Sequence, residues 1–233
     1  MTPTMFFFLK FCKERVHAEE FVSGNLYFRK LSYFQALEDG DDGRGDRFEG
    51  VSHLFQPNPN LVIKFGDIKI DPAELVGPVL LTRDTTLDDH ALCVYVGSSG
   101  PFESLSQENL ESFRLHMRVP EQCGAMGEHL VLVHNVTAFQ ERLLAAAKRE
   151  NYALAMGSVE YFDETTHSGA IPQPGFWKPR RFAWQRERRF RISTRGRMPD
   201  PGRLEVGNLG DIATIVPFAG FNEYLRFDLP EPR

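Results

Sequence analysis

Residues 176–192 read FWKPRRFAWQRERRFRI, and the character of the whole chain turns on them. Arg188 to Ser193 reads as a strand. The charge around its start is extreme. Between Lys178 and Arg197 stand nine basic residues (178, 180, 181, 186, 188, 189, 191, 195 and 197) and one acid, Glu187. The formal net charge of the chain is −5, so these twenty residues at +8 leave −13 for the rest. An acid among so many bases has its ionised form favoured. It is either a structural carboxylate in an ion-pair network or a working group of a site. Phe176 and Trp177 precede the run and Trp184 lies inside it. Basic and aromatic side chains together grip phosphates and stack bases. The plainer reading is a basic, solvated strand edge.

Upstream, Tyr152 to Phe162 reads as a long strand. Val136 to Arg149 is the clearest helix, with apolar residues at 136, 139, 143, 144 and 147 and Thr137 near its start. His129 to His134 and Ala91 to Val96 are strands, Gly97 to Gly100 a turn, and Ser104 to Met117 helical. Leu61 to Ile70 and Val79 to Leu81 are strands separated by a turn around Asp71-Pro72. Near the N-terminus, Met5 to Lys13 is a continuous apolar stretch with lysines late in it, a buried strand. His17 to Ser23 is a short helix that Gly24 is placed to end. Asn25 to Lys30 is a second strand, and Ser32 is placed to cap a helical turn through Leu37. Thr165 to Pro179 is a loop, and Ile212 to Pro217 and Tyr224 to Phe227 are strands. The sum is one mixed α+β domain, strand-rich with a few helices, without repeats or linkers.

Glu38 to Gly50, EDGDDGRGDRFEG, breaks this pattern with four glycines and eight charges. It is either a solvated loop or a functional one, since glycine lets a ligand approach the backbone closely. Asp46, Arg47, Phe48 and Glu49 at its end are the first place to look.

The composition bounds the rest. The chain of 233 residues is 42% hydrophobic and 25% charged, which is globular and long enough to bury a core without staples. Twenty phenylalanines against two tryptophans predict a core of phenyl rings. The three cysteines (12, 93 and 123) and seven histidines form neither CxxC, HExxH nor HxH, so no metal and no disulfide framework is expected. No apolar run approaches the roughly 20 residues of a membrane helix. The first ten residues lack the features of a signal peptide, so a cytoplasmic protein without a membrane partner is expected.

Gln185-Arg186-Glu187, opening the strand at Arg188, resembles the Gln-x-Glu or Glu-x-Glu signature of ADP-ribosyltransferases. The chain as a whole is similar to a family of uncharacterised bacterial proteins suspected to be ADP-ribosyltransferase-like, often beside toxin or phage-defence functions. The matching parts are FLKFCK at 8–13, NLYFRKLSYF at 25–34, GDRFEG at 45–50 and KPRRFAWQRERRFRI at 178–192. The resemblance implies a split or mixed sheet and NAD as a substrate. It implies that Glu187 is catalytic, stabilising the oxocarbenium-like sugar as nicotinamide leaves. Gln185 would be the acceptor-side residue. The first strand offers Lys10 and Lys13 where that superfamily carries an arginine or histidine. Arg29, or Arg44 and Arg47 of the glycine-rich loop, would hold the pyrophosphate in a bidentate fork. Ser32 and Tyr33 would match the second motif, with Tyr33 stacking on nicotinamide. Arg180, Arg181, Trp184 and Arg189 would present a macromolecular acceptor, protein or nucleic acid. Two other classes stay open: a nucleic-acid or nucleotide-binding module using the same basic segment, and an RNA nuclease built from His53, Glu187 and the arginines.

Overall fold

Met5–Cys12 forms strand β1, and its side chains alternate between two cores. Phe8 and Cys12 turn into one, while Phe7, Leu9 and Phe11 turn into the other. A strand buried on both faces must be apolar at nearly every position, which is why the sequence there shows no alternation. The structure is a computed structural model in which residues 3–37, 45–58 and 60–229 are described.

β1 pairs antiparallel with β7 (His90–Ser98) on one side and with β8 (His129–Val133) on the other. Beyond β8 lies β15 (Ala213–Pro217). The far edge of β7 carries β13 (Glu187–Ser193), which in turn pairs with β9 (Ala153–Ser158). The near edge of β7 is shared between two strands. Its residues 95–98 bond to β1, and its residues 90–91 bond to β2 (Asn25–Lys30). β1 and β2 therefore diverge across Leu92–Val94, which take no strand partner on this edge among the described residues. β2 goes on to pair with β14 (Gly202–Glu205). The eight-stranded sheet is split at this point.

Helices α1 (Arg15–Val22) and α5 (Val136–Arg149) cover one face. Phe139 of α5 is the centre of that core: it stacks on Phe21 at 5.8 Å and meets Phe190 and Phe8 edge-on at 5.5 and 6.1 Å. The phenyl core expected from composition is thus present. Helices α4 (Leu110–Met117) and α6 (Phe221–Tyr224) cover the other face, against Phe7, Leu9, Phe11 and Tyr95. Gly24 sits between α1 and β2 at φ +93°, where a Cβ would lie 1.9 Å from the Gly207 carbonyl oxygen. Only glycine fits there, and that turn sets the direction in which β2 leaves β1. A smaller sheet of β3 (Val51–Phe55), β6 (Val79–Thr82) and β11 (Gly169–Ala170) packs over Phe48 and Phe162. Short helix α2 (Leu31–Ala36) lines the split through Tyr33 and Phe34, and α3 (Asp84–Leu87) packs against α2. No described helix is long and apolar enough to cross a membrane.

The α+β class with more strands than helices holds, and α5 has the expected ends. Its cap is Asn135, whose side chain accepts the Ala138 N–H at 3.0 Å, and not Thr137. Several other boundaries differ. The expected strand 61–70 is a hairpin, β4 (Ile63–Phe65) and β5 (Ile68–Ile70), turned by Gly66 at φ +61°. The expected strand 152–162 is two, because β9 follows β13 while β10 (Glu160–Phe162) leaves to pair in parallel with β12 (Trp177–Pro179). Two strands, β11 and β12, therefore lie in the stretch expected as loop. The helix expected from Ser104 starts at Leu110, because Asn109 ties the preceding turn to Ser104 and Ser106. Residues 224–227 are no strand: Leu225 and Phe227 pack as side chains against the α4 core. Ser32 lies inside the first turn of α2, which begins one residue earlier, and does not cap it. Of the glycine-rich break, residues 38–44, Arg44 among them, lie outside the described residues. Asp46, Phe48 and Glu49 are buried, so a solvated loop is the wrong description of its end.

Candidate active site in the split of the sheet

The divergence of β1 and β2 opens a pocket of about 510 Å³, within the roughly 300–1,000 Å³ of small-molecule sites. Its walls are the end of β1, the start of β2, Tyr33 and Phe34 of α2, and residues 91–95 of β7. Lys10 spans the gap between the strands, donating from Nζ to the Cys93 carbonyl at 3.1 Å. The floor is polar and buried: Glu49, Lys178, Gln185, Glu187 and Arg189 are each no more than 5% exposed. The rim is open and mixed in charge, with Lys10, Lys13, His17, Arg29 and Tyr27 beside Glu14 and an Arg203–Glu20 ion pair at 3.0 Å.

The local chain path explains the floor. After β12 the chain makes a 3-10 turn through Arg180–Gln185, and Arg186 then adopts a left-handed conformation at φ 37°. This one residue redirects the backbone into β13. Gln185 before it and Glu187 after it both face the pocket, and both reach Lys178. The Lys178 Nζ donates to Gln185 Oε1 at 2.7 Å and to Glu187 Oε2 at 3.3 Å. Strand alternation puts Arg189 on the same face as Glu187. Its Nε donates to Glu187 Oε1 at 2.7 Å, and its Nη1 donates to Glu49 Oε1 at 2.6 Å and to the Gly175 carbonyl at 2.7 Å. The Tyr161 hydroxyl accepts the Glu187 N–H at 2.9 Å. The turn at 45–50 and the run at 178–189 thus meet through the buried Glu49–Arg189 ion pair.

Burial opposes ionisation of Glu187, but the charges of Arg189 and Lys178 and a hydrogen bond from the Cys93 thiol outweigh it. The carboxyl is held well below the ordinary range. Burial works on Arg189 in the same sense, and Glu187 and Glu49 override it, so its charge is fixed. Burial pushes the Cys93 thiol up to about 12, so it is a hydrogen-bond donor and no nucleophile. Burial, with the repulsion of Glu49 added, raises Asp46 to about 7 against the pull of Lys178 and Arg189. A carboxylate as firmly ionised as Glu187 is a poor general acid. What it offers is negative charge in a desolvated site, aimed where positive charge develops on a ligand. Rim arginines and lysines suit phosphate oxygens. Among the described residues no group of three or more His, Cys, Asp or Glu side chains is placed to hold a metal ion.

The structure brings Glu187, Gln185, Lys10, Arg29, Tyr33 and Arg189 around one pocket, although they come from opposite ends of the chain. Arg29 lies over the Tyr33 ring at 3.5 Å and pairs with Asp200 at 3.2 Å, so one face of Tyr33 is already taken. Ser32, Arg47, Arg180, Arg181 and Trp184 do not line the pocket. Arg47 is exposed over Phe48, Arg181 pairs with Glu164, and Trp184 packs toward the α4 core. Arg189, expected on an outer acceptor face, is a fully buried counter-ion. His53 stacks on Phe55 at 5.8 Å and is not a pocket residue, so the nuclease grouping of His53 with Glu187 does not form. Sequence reasoning missed Lys178 as a site residue, though the Lys-Pro of the 178–192 motif marks it, and missed Glu49 as the partner of Arg189. Comparison with protein-family models, with curated proteins and with solved structures found no match to this chain.

Proposed function

We propose that this chain binds NAD in the split of its sheet and transfers ADP-ribose to a macromolecular acceptor, on a fold of the ADP-ribosyltransferase kind. The observation that carries the reading is that Gln185 and Glu187 line the same pocket as Lys10, Arg29 and Tyr33. The ionised Glu187 in the floor, beneath a rim that carries Lys10, Lys13, Arg29 and the rings of Tyr27 and Tyr33, fits a ligand with a cationic ring at one end and phosphates along its length. The bond from the ribose anomeric carbon to nicotinamide breaks and its electron pair leaves on nicotinamide. Glu187 faces the positive charge that remains on the sugar. The acceptor's lone pair then forms the new bond, and its proton passes to solvent. Gln185, held by Lys178, stands beside Glu187 to orient the acceptor.

The alternative of a nucleic-acid-binding surface loses support from the fate of the arginines. Arg181 and Arg191 pair with Glu164 and Asp89, and Arg186 and Arg197 donate to backbone carbonyls. With Lys178 and Arg189 paired to Glu187 and Glu49 in the floor, six of the run's nine bases are engaged internally, four of them by carboxylates.

The test is incubation with labelled NAD and separation of protein, DNA and RNA. Label in one fraction names the acceptor, and free nicotinamide with no transferred label identifies a glycohydrolase. Glu187→Ala is expected to lower turnover by about 10²–10³-fold while leaving the circular dichroism unchanged. Undiminished turnover in that variant ends the assignment.

A further inference from the structure

The turn at 45–50 closes the floor from behind, yet Asp46 does not line the pocket. Five ionisable side chains are buried together here: the acids Asp46, Glu49 and Glu187 and the bases Lys178 and Arg189, none more than 5% exposed. Three negative charges against two positive leave one buried charge unmatched, which is costly in a protein interior. One proton on one acid removes the imbalance. Glu187 is held by Arg189 and Lys178, and Glu49 by Arg189. Asp46 accepts the Phe48 N–H at 3.0 Å through Oδ1, but its Oδ2 has no hydrogen-bond partner.

The charged groups facing Asp46 are Glu49 on its own turn, Lys178 on β12 and Arg189 on β13. Helix α2 offers it the Phe34 carbonyl, which accepts the Asp46 N–H at 3.0 Å. Arg47 and Arg181 lie outside, over Phe48.

We infer that Glu49 is a positioning residue for Glu187, acting through Arg189, and that Asp46 keeps the cluster neutral by carrying a proton. The inference rests on the reading of Glu187 as the working carboxylate. With the proton in place, Lys178 stays on Gln185 and Glu187. Its loss puts a second anion beside Glu49 and draws Lys178 away from both, so the site weakens as pH rises. The raised proton affinity of Asp46, caused by burial and by Glu49, agrees with this assignment.

The test uses the full chain with Glu49→Gln and Asp46→Asn, NAD turnover between about pH 5.5 and about pH 9, and carbon NMR of labelled carboxyl groups. In Glu49→Gln, kcat falls by about 10- to 100-fold at unchanged KM. Wild-type turnover declines as pH passes about 7, and Asp46→Asn loses that decline. A Glu49→Gln enzyme with the wild-type kcat, or the same alkaline limb in Asp46→Asn, overturns the inference. If the wild type turns over no NAD, the proposed function fails and NMR alone decides. An Asp46 carboxyl titrating near 7, with the Glu187 signal displaced in Glu49→Gln, then upholds the inference. An Asp46 that titrates in the ordinary range below about 5 overturns it, and the wild-type spectrum shows this even if a variant fails to fold.

Discussion

Replacing Arg189 with methionine removes the guanidinium while keeping most of the side-chain bulk. Arg189 is 1% exposed. It donates to Glu187 at 2.7 Å, to Glu49 at 2.6 Å and to the Gly175 carbonyl at 2.7 Å. Breaking one buried ion pair by deleting one partner costs about 3–5 kcal/mol. Here two carboxylates lose the same cation, and a buried carbonyl loses its donor as well, at about 1–3 kcal/mol. A loss of about 5 kcal/mol at pH 7.5 is therefore expected, a large part of the roughly 5–15 kcal/mol that holds a domain folded.

The loss also has a sign in pH. In the wild type the Glu187 carboxyl is held below its ordinary 4.5. Its contribution is thus present above that value and is lost as pH falls. In the methionine variant the burial of Glu187 is no longer outweighed, so a proton takes the cation's place. That variant is favoured at low pH and loses stability as pH rises. The two stability curves converge toward about pH 4.5 and diverge toward about pH 8. Urea unfolding followed by the fluorescence of Trp177 and Trp184 measures this at each pH. A loss below about 1 kcal/mol, or one that does not change with pH, would refute the idea that these charges form one desolvated network.

Asp46→Asn tests the opposite sign. Burial raises the Asp46 value from 3.8 to about 7, so the wild type loses stability as pH rises across that window, by about 4 kcal/mol in all. The asparagine variant does not titrate, and its stability advantage should grow by about 3–4 kcal/mol between pH 4 and pH 8 in urea melts; parallel curves contradict the assignment. Asn135→Ala removes the cap of α5 and should cost about 1 kcal/mol, read as a fall of about 2–4 °C in Tm. No change in Tm would mean that the Ala138 N–H finds water as readily as the side chain.

How far the sequence carried depends on what each element answers to. Helix α5 was legible because its apolar spacing faces one core, and β1 because it faces two. The convergence of Lys10, Arg29 and Tyr33 on Glu187 followed from motifs at opposite ends of the chain. The burial of Arg189 was half visible: alternation places it on the face of Glu187, opposite Phe190 and Ile192. Arginine is seldom buried without a partner, and that partner, Glu49, lies 140 residues away. Asp46 and Glu49 looked solvated because they end a run of glycines and charges, and what pulls that turn inward lies far off in sequence: Phe162 against Phe48, and Arg189 on Glu49. The break between β9 and β10 at Val159 answers to two different partners, β13 and β12, so no local pattern marks it.

Arg186 holds a left-handed φ of 37° between Gln185 and Glu187, at a cost of about 1–2 kcal/mol for a residue other than glycine. The backbone therefore filters substitutions there before any side-chain property does. Glycine, asparagine and aspartate can enter with little torsional resistance, whereas valine, isoleucine and threonine are excluded by their own branching. The middle letter of Gln-Arg-Glu takes no part in the proposed chemistry. A saturation library should nonetheless find it narrow, because one torsion angle sets how far apart the two polar groups beside it stand.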